Sequence, residues 1–240
     1  MRIAFISDVH GNSVALEKVI MDINRKNIDQ IVILGDICFR GPDPKKSLDL
    51  VRSLSAKVIK GNADEWIVRG IRRGEVPDGA FEIMSQEREF GKSLLHEEDL
   101  QYLKNLPTDI KLTADEYEIH CFHATPHNLF QNIMPDASDE TFAKEILTDC
   151  KSDIFLYGHI HRPFIRYVNG KIIMNPGSVG LPFDGMPLAS YGIIEVEGKN
   201  VQTEIHRVEY DIKQVIKMYE KNDYPNIGQM ALVLRQGRPV

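Results

Sequence analysis

Short apolar runs alternate with amphipathic segments through the first third of the chain. Residues 3–6 and 31–34 have the length and composition of buried strands, and each run stops at a turn that contains aspartate. Between the two runs, apolar side chains recur at helical spacing: Leu16, Val19, Ile20 and Ile23. With a third strand at residues 58–59, the order of elements predicts parallel strands covered by helices.

A second amphipathic helix is predicted between these strands, after Asp43 and Pro44. The two residues suit the N-cap and the first helical position, and the apolar face of the helix is formed by Leu48, Val51 and Leu54. From about residue 64 to 106 the chain is rich in Arg and Glu and has no strand pattern. We therefore predict a helical insertion there.

The second half of the chain begins with predicted strands at residues 110–112, 117–122 and 154–157 and a helix at about 138–150. After them the pattern indicates antiparallel pairing. Asn169-Gly170 is a type I′ hairpin signal between two strands, and Gly198-Lys199-Asn200 joins two more, at residues 191–196 and 201–206. A last helix begins near Asp211, in a C-terminal extension of about 211–240. We find no linker or repeat, so residues 1–240 are predicted to form a single domain.

Composition narrows the classes of function. Hydrophobic residues make up 42% and charged residues 27% of the 240 residues, as in ordinary globular proteins. The net charge of −6 argues against stable binding to nucleic acid, which needs a basic face. Three scattered cysteines, no apolar segment of membrane-spanning length and a carboxylate at position 8 predict a cytoplasmic protein without a membrane partner. A homo-oligomer stays open.

Metal-binding residue types follow the predicted strands, where the carboxyl ends of parallel strands converge on one crevice. Seven of them are candidate ligands: Asp8, His10, Asp36, Asn62, His123, His159 and His161. One tetrahedral ion needs only four ligands, so seven donors suit two ions with room for water and substrate. Taken singly, each residue is better explained as a turn, a cap or a core histidine. His96, His120, His127 and His206 keep that explanation.

The motifs containing these residues resemble those of the calcineurin-like metallophosphoesterases. They are Asp-Val-His-Gly-Asn at 8–12, Leu-Gly-Asp at 34–36, Gly-Asn-Ala-Asp at 61–64, His123, and Gly-His-Ile-His at 158–161. Asn-Pro-Gly-Ser-Val-Gly at 175–180 is typical of the small bacterial branch, which includes phosphodiesterases and enzymes like diadenosine tetraphosphatases. The resemblance covers roughly residues 1–185. It implies an α/β fold, a four-layer αββα sandwich of two mixed β-sheets flanked by helices.

The resemblance also implies how two divalent transition-metal ions are held. Asp36 would bridge them, one ion would take Asp8, His10 and His161, and the other Asn62, His123 and His159. The ions carry +4 and the two aspartates −2, so a bridging water would readily lose a proton and attack phosphorus as hydroxide. Neutral imidazoles with oxygen ligands suit Mn²⁺, Fe or Zn²⁺ better than Ca²⁺, and we expect Mn²⁺.

Two departures from the pattern of related protein phosphatases bear on the substrate. Ala63 stands where those relatives have the histidine assigned to protonating the leaving oxygen, and Phe39 replaces the aspartate that supports it. Arg40 remains, and we expect it to bind the phosphate as a bidentate donor. Since general acid catalysis is worth roughly 10²–10⁴ in rate, a good leaving group is favoured.

These residues predict a phosphoesterase for a phosphodiester or phosphoanhydride, with a small phosphate ester or nucleotide as substrate. Asp36, Arg40 and Asn62 are the expected catalytic residues. The alternatives are a protein serine/threonine phosphatase or general phosphomonoesterase, and a nuclease, which the acidic composition disfavours. A non-catalytic metal-binding scaffold for protein interaction is a further alternative, and the complete ligand set argues against it.

Overall fold

Two five-stranded β-sheets form the centre of the structure, a computed structural model that describes residues 1–239. In spatial order, the first sheet consists of β10 (Asn200–Val208), β9 (Ala189–Glu197), β1 (Arg2–Ile6), β2 (Gln30–Ile33) and β3 (Ala56–Val58). The second consists of β4 (Asp109–Ala114), β5 (Tyr117–Phe122), β6 (Ile154–Leu156), β8 (Lys171–Asn175) and β7 (Phe164–Val168). Both sheets contain parallel and antiparallel pairs.

Helices connect and cover the strands. Those of the first half are α1 (Ser13–Ile23), α2 (Pro44–Ser53), α3 (Asn62–Arg69), α4 (Asp78–Ser93) and α5 (Glu97–Lys104). The remaining ones are α6 (Asp139–Glu145), α7 (Ile212–Lys221) and α8 (Ile227–Gln236). Helices α3 to α5 occupy the stretch where the sequence predicts an insertion, and α7 and α8 follow the last strand.

Alternate residues along a strand point to opposite faces of its sheet, so the apolar side chains of one strand contribute to two different layers of the core. Ile3 and Phe5 of β1 point towards the second sheet and pack with residues such as Ile119 and Leu156, whereas Ala4 and Ile6 face α1. The far side of the second sheet packs against α6. Burial of each large apolar side chain contributes roughly 1.5–3 kcal/mol, so these faces fix the stacking. The predicted sandwich of two mixed sheets flanked by helices is confirmed.

Several local predictions are confirmed and others need correction. Asn169 and Gly170 both have positive φ, +50° and +75°, as a type I′ turn requires. The pairing beyond β6 is not wholly antiparallel, because β8 pairs with β6 in parallel. The helix predicted at about 138–150 ends at Glu145. Asp43 precedes α2, but its carboxylate accepts a hydrogen bond from Ser13 Oγ (2.8 Å) and caps no helical N–H.

None of the helices within residues 1–239 is both long and apolar enough to cross a bilayer.

Candidate metal centre

Five loops at the carboxyl ends of strands bring the predicted ligands together. Asp8 and His10 follow β1, Asp36 follows β2, and Asn62 begins α3 after β3. The second sheet contributes His123 after β5, and His159 with His161 after β6. All seven side chains lie in one continuous cluster, and none is far from the others despite separations of up to 153 residues in sequence.

Four of these residues form one half of the cluster. Ligand atoms of Asp8, His10, Asp36 and His161 all lie within 4.8 Å of one another. The Nε2 atoms of His10 and His161 are 3.1 Å apart. Asp8 Oδ1 lies 3.3 Å from His161 Nε2, and Asp36 Oδ2 lies 3.7 Å from His10 Nε2.

The other half contains Asn62, His123 and His159. Oδ1 of Asn62 lies 2.8 Å from His123 Nε2 and 2.8 Å from His159 Nδ1. His123 Nε2 is also 3.4 Å from Oδ2 of Asp36. Asp36 therefore contacts histidines of both halves, as expected of a residue between two binding positions.

Backbone conformation at the candidate ligands is unusual. Five of the seven candidate ligands have φ between +47° and +67°, the left-handed region that residues with a Cβ seldom adopt: Asp8, His10, Asp36, His159 and His161. Such conformations cost of order 1–3 kcal/mol each and persist where the surroundings enforce them, typically at functional sites. Each places the side chain in the crevice directly after the strand ends.

Main-chain carbonyls orient three of the histidine rings. Nδ1 of His10, His123 and His161 lies 2.8, 2.7 and 2.5 Å from the carbonyl oxygens of Phe39, Leu34 and Leu181. A carbonyl only accepts, so Nδ1 donates and Nε2 keeps an unprotonated lone pair towards the centre when the ring is neutral. His159 differs because it presents Nδ1 to the centre.

Burial and neighbouring charges set the pKa values of the cluster. Burial, together with the charge of His161, lowers the pKa of His10 to about 4, and burial with His123 lowers that of His159 to about 4. Burial opposes ionisation of Asp8 and Asp36 as well, but the neighbouring histidines outweigh it and hold both pKa values below 3.8. The centre therefore favours anionic aspartates beside neutral His10 and His159.

The side chains fit a bound metal ion. Asp8 Oδ1 is buried and has no hydrogen-bond partner within the described residues, and two lone-pair nitrogens face each other beside it. Two nitrogens bound about 2.0–2.1 Å from one ion lie about 3 Å apart at a right angle, close to the observed separation. Aspartates, imidazoles and an amide are ligands that transition metals accept.

Asp64 is not a candidate ligand, but it supports the centre through the backbone of the loops that carry Asp36 and Asn62. Its carboxylate accepts hydrogen bonds from the backbone N–H groups of Asp36 (2.8 Å), Ile37 (2.9 Å) and Gly61 (2.9 Å). Burial and the charge of Asp36 raise its pKa to about 6. Asp64 belongs to the motif at 61–64, but only the fold shows that its carboxylate holds the loop after β2.

A second supporting contact reaches the loop after β1. Ser178 Oγ donates to the carbonyl of Asp8 (2.8 Å), and Asn175 Nδ2 donates to the carbonyl of Gly158 (2.6 Å). Both residues belong to the motif at 175–180, which thus ties the loops of the two sheets together. Gly158 has no room for a side chain, because a Cβ would meet Ser7 and Asp8.

A cavity of about 100 Å³ opens onto the cluster. Phe39 and Ala63, the two departures from the phosphatase pattern, are 1% exposed and form part of its wall. Beyond the candidate ligands, no carboxylic acid or histidine of the described residues lines this cavity. The two positions where related protein phosphatases have a histidine and its supporting aspartate are therefore apolar in this protein.

Arg40 also lines the cavity, and its own loop has positive φ (+67°). Its Nε lies 3.1 Å from Oε2 of the fully buried Glu87 in α4, and Nη2 lies 3.7 Å from Met230 Sδ in α8. Tyr219 of α7 donates to the carbonyl of Arg40 (2.7 Å). The insertion and the C-terminal helices thus position this arginine, and no motif in the sequence marks Glu87.

Other charged residues of the insertion make structural contacts. Arg69 pairs with Glu65 (3.1 Å) and Glu75 (2.6 Å), and Arg88 donates to carbonyls at the end of α3. Trp66 packs edge-on against Phe39 and lines the cavity. Arg69 and Arg88 are engaged within the insertion.

The four histidines left out of the predicted site lie outside the cluster. Nε2 of His120 lies 2.9 Å from Asp109, and Nε2 of His206 lies 2.7 Å from Glu204. His96 precedes α5 as its N-cap residue, and His127 is exposed.

The chain is similar to known proteins in both sequence and structure. The family model described as calcineurin-like phosphoesterase superfamily domain matches residues 1–199. Uncharacterized protein MJ0912 of Methanocaldococcus jannaschii is 33% identical over 93% of both chains. The crystal structure of a metallophosphoesterase from Sphaerobacter thermophilus superposes with a TM-score of 0.78, at 30% identity over 99% of both chains. Phosphodiesterase YfcE of Escherichia coli is 24% identical over 81% of this chain and 88% of its own.

Proposed function

The chain belongs to the calcineurin-like phosphoesterase superfamily, and on that premise we propose that it hydrolyses a phosphodiester or phosphoanhydride at a centre of two divalent metal ions, with Mn²⁺ as the expected metal. Asp36 would bridge the two positions. Asp8, His10 and His161 would hold one ion, and Asn62, His123 and His159 the other. A nucleotide-type substrate is favoured.

The observation that carries this proposal is the 3.1 Å separation of His10 Nε2 and His161 Nε2. Both rings have Nδ1 against a carbonyl, so neither neutral ring has a proton to share between the facing nitrogens. Two facing lone pairs repel, and a cation converts that repulsion into binding. Beside them, the buried Asp8 Oδ1 supplies negative charge.

Bound divalent ions supply charge that activates water and stabilises negative charge developing on phosphate oxygens. The chain contributes the geometry. Asp64 and the N–H of Ala63, which donates to Asp36 Oδ1 (2.8 Å), fix the bridging aspartate, while Arg40 stands at the cavity with Glu87 behind it. Nε of Arg40 lies 3.1 Å from Glu87 and Nη2 donates to Met230 Sδ (3.7 Å). Arg40 would bind the phosphate through the N–H groups that remain.

The apolar wall formed by Phe39 and Ala63 affects which leaving groups the substrate can have. It offers no proton to a departing oxygen, so an alkoxide as basic as a serine side chain would leave slowly. A nucleotide phosphate or an aryl oxide leaves without that help. The name of the YfcE relative, a phosphodiesterase, agrees with this preference.

A panel of substrates tests the proposal. Purified protein supplemented with Mn²⁺ is assayed on an aryl phosphomonoester, an aryl phosphodiester, diadenosine tetraphosphate and a phosphoserine peptide. We expect hydrolysis of the diester or the tetraphosphate with kcat/KM at least tenfold above that for the peptide. Preference for the peptide would replace the proposal with a protein phosphatase. No hydrolysis of any substrate, with metal bound, would point to a binding scaffold.

A further inference from the structure

Phe183 lines both the metal-site cavity and a neighbouring groove. The ring of Phe183 stacks on that of the candidate ligand His161, with centroids 4.3 Å apart. The near part of the groove has a volume of about 460 Å³ and includes His159, Phe183 and Arg162 in its wall. The far part, of about 530 Å³, shares Phe183 and Arg162 and adds Arg238. The groove therefore starts at a metal ligand and leads to two arginines.

Both arginines have charge available for a ligand. Arg162 donates Nε–H to the carbonyl of Phe183 (3.2 Å), which leaves its other N–H groups free of protein acceptors within residues 1–239. In the same part of the chain, neither Arg162 nor Arg238 has a carboxylate within 4.0 Å. Asp184 is the acidic residue in the groove wall, and its carboxylate pairs with Arg207. Within residues 1–239, the wall of the groove therefore has positive charge that no carboxylate pairs with, in a protein whose net charge is −6.

The position of Arg238 is built into the fold. Gly185 N–H donates to the carbonyl of Gly237 (2.7 Å), which joins the end of α8 to the loop after Phe183. Gly237 has φ of +62°, and a Cβ there would collide with the backbone of Met186. Because the main chains touch at this point, Arg238 is held beside Gly185 at the edge of the groove.

The part of the groove nearest the metal centre is mainly apolar. Met134, Ile160, Phe183 and Pro239 contribute side chains to it, and Asn132 adds an amide. An apolar wall between two positively charged positions suits a molecule with an organic part and more than one anionic group. An aryl phosphodiester has only one such group.

We propose that Arg162 and Arg238 form a second anion subsite, which selects substrates with a further phosphate group beyond the phosphorus attacked at the metal centre. The proposal rests on the phosphoesterase function proposed above and narrows its substrate class. Guanidinium groups bind phosphate through charge-assisted, often bidentate hydrogen bonds. The organic part of the substrate lies along the apolar wall, between the two charged positions.

Binding of inorganic tripolyphosphate and of orthophosphate tests the subsite by titration calorimetry, with the full chain and a fixed excess of Mn²⁺. We expect tripolyphosphate to bind more tightly than orthophosphate. Arg162→Gln and Arg238→Gln should each weaken tripolyphosphate binding about tenfold, as loss of one charged hydrogen-bonding group predicts, and change orthophosphate binding less than twofold. Arg235→Gln, an exposed arginine of α8 outside the groove, is the matched control.

Kinetics provide the second readout. The same variants should raise KM for diadenosine tetraphosphate about tenfold and leave kcat/KM for an aryl phosphodiester within about twofold. Equal binding of the two phosphates by the unaltered protein, or unchanged tripolyphosphate binding in both variants, would overturn the subsite. If the unaltered protein hydrolyses nothing, the proposed function fails, while the calorimetry still decides whether the arginines bind anions. Thermal unfolding confirms that each variant is folded.

Discussion

Nε of Arg40 lies 3.1 Å from Oε2 of Glu87, a carboxylate that is fully buried between the insertion and the C-terminal helices. Asn226 donates to the other oxygen of Glu87 (3.0 Å). A buried carboxylate needs such partners, because its desolvation is costly. This pair therefore links the stability of the added helices to the position of an arginine at the cavity.

The pair predicts that stability and activity separate in a double mutant. Arg40→Met should destabilise the protein by about 3–5 kcal/mol, because Glu87 is left buried without its cation. Adding Glu87→Gln should restore most of the free energy of unfolding, measured in urea. Activity on an aryl phosphodiester should stay about 100-fold low in both proteins, since the phosphate loses a charged donor. Recovery of activity together with stability would contradict a role for Arg40 at the substrate.

Removal of a histidine from the facing pair should reduce metal content. His10→Ala deletes one of the two nitrogens that lie 3.1 Å apart, so we expect the purified variant to contain at least one metal ion fewer per chain. Elemental analysis after dialysis measures this. The exposed His127 provides the control, and His127→Ala should keep the full metal content. Equal metal content in His10→Ala and the unaltered protein would exclude this residue as a ligand.

Asp36→Asn should remove activity with little loss of fold. An amide oxygen can still accept the 2.8 Å hydrogen bond from the N–H of Ala63, but it lacks the negative charge that holds two cations together. We expect kcat to fall by more than about 100-fold, the upper range seen for residues that only support metal ligands. Circular dichroism and the urea midpoint should change little. Retention of a tenth or more of the activity would place the bridging role elsewhere.

Asp64→Asn should lower both the stability of the protein and its affinity for metal, because Asp64 holds the loop that carries Asp36. An amide has one accepting oxygen and cannot satisfy three backbone donors as the carboxylate does. We expect a loss of about 1–3 kcal/mol in the free energy of unfolding and weaker metal binding. Asp78→Asn is the matched control, because Asp78 is an exposed aspartate in the first turn of α4. Similar effects of both substitutions would show that only a general helix-terminus interaction was lost.

Metal binding should release a proton near neutral pH. Burial alone would lower the pKa of His123, but Asp36, 3.4 Å away, outweighs it and raises the pKa to about 9. In protein stripped of metal, the protonated ring therefore stabilises the fold below pH 6.5, and this contribution is lost as the pH rises through about 9. A ligand must be neutral, so Mn²⁺ displaces about one proton at pH 7.5.

Calorimetry in two buffers with different ionisation enthalpies counts this proton. We also expect the affinity for Mn²⁺ to increase by about tenfold per pH unit between pH 7 and 8.5, as displacement of one proton requires. Affinity that is independent of pH over this range would show that His123 is already neutral before the metal binds. His127→Ala should leave the proton count unchanged.

Much of the fold and all seven candidate ligands could be predicted from sequence for a common reason. Hydrophobic periodicity defines β1, β2 and the helix between them, α1, because burial drives both local structure and packing. Aspartate, histidine and asparagine after successive strands then indicate one crevice, since parallel strands end at the same edge of a sheet. The type I′ turn at Asn169 and Gly170 is equally local, because only certain residues tolerate positive φ at both positions.

Other features of the fold and of the site cannot be predicted from the neighbouring sequence. The parallel pairing of β8 with β6 depends on which strand edge is free when the second sheet assembles. Asp64, Glu87 and Ser178 act through contacts with segments 28 to 170 residues away, and nothing around them in sequence marks those partners. The amphipathic insertion was predictable as helix, but its use in holding Arg40 was not.

By itself, the sequence determined the kinds of candidate ligand and the order of the strands that present them, because residue chemistry and hydrophobic period are local properties. The tertiary structure decided how those side chains face one another. Left-handed backbone at five of them, carbonyls behind three imidazole rings and the joining of two sheets at Ser178 and Asn175 bring His10 and His161 to 3.1 Å. Such distances arise only when long-range packing offsets the strain and desolvation of the site.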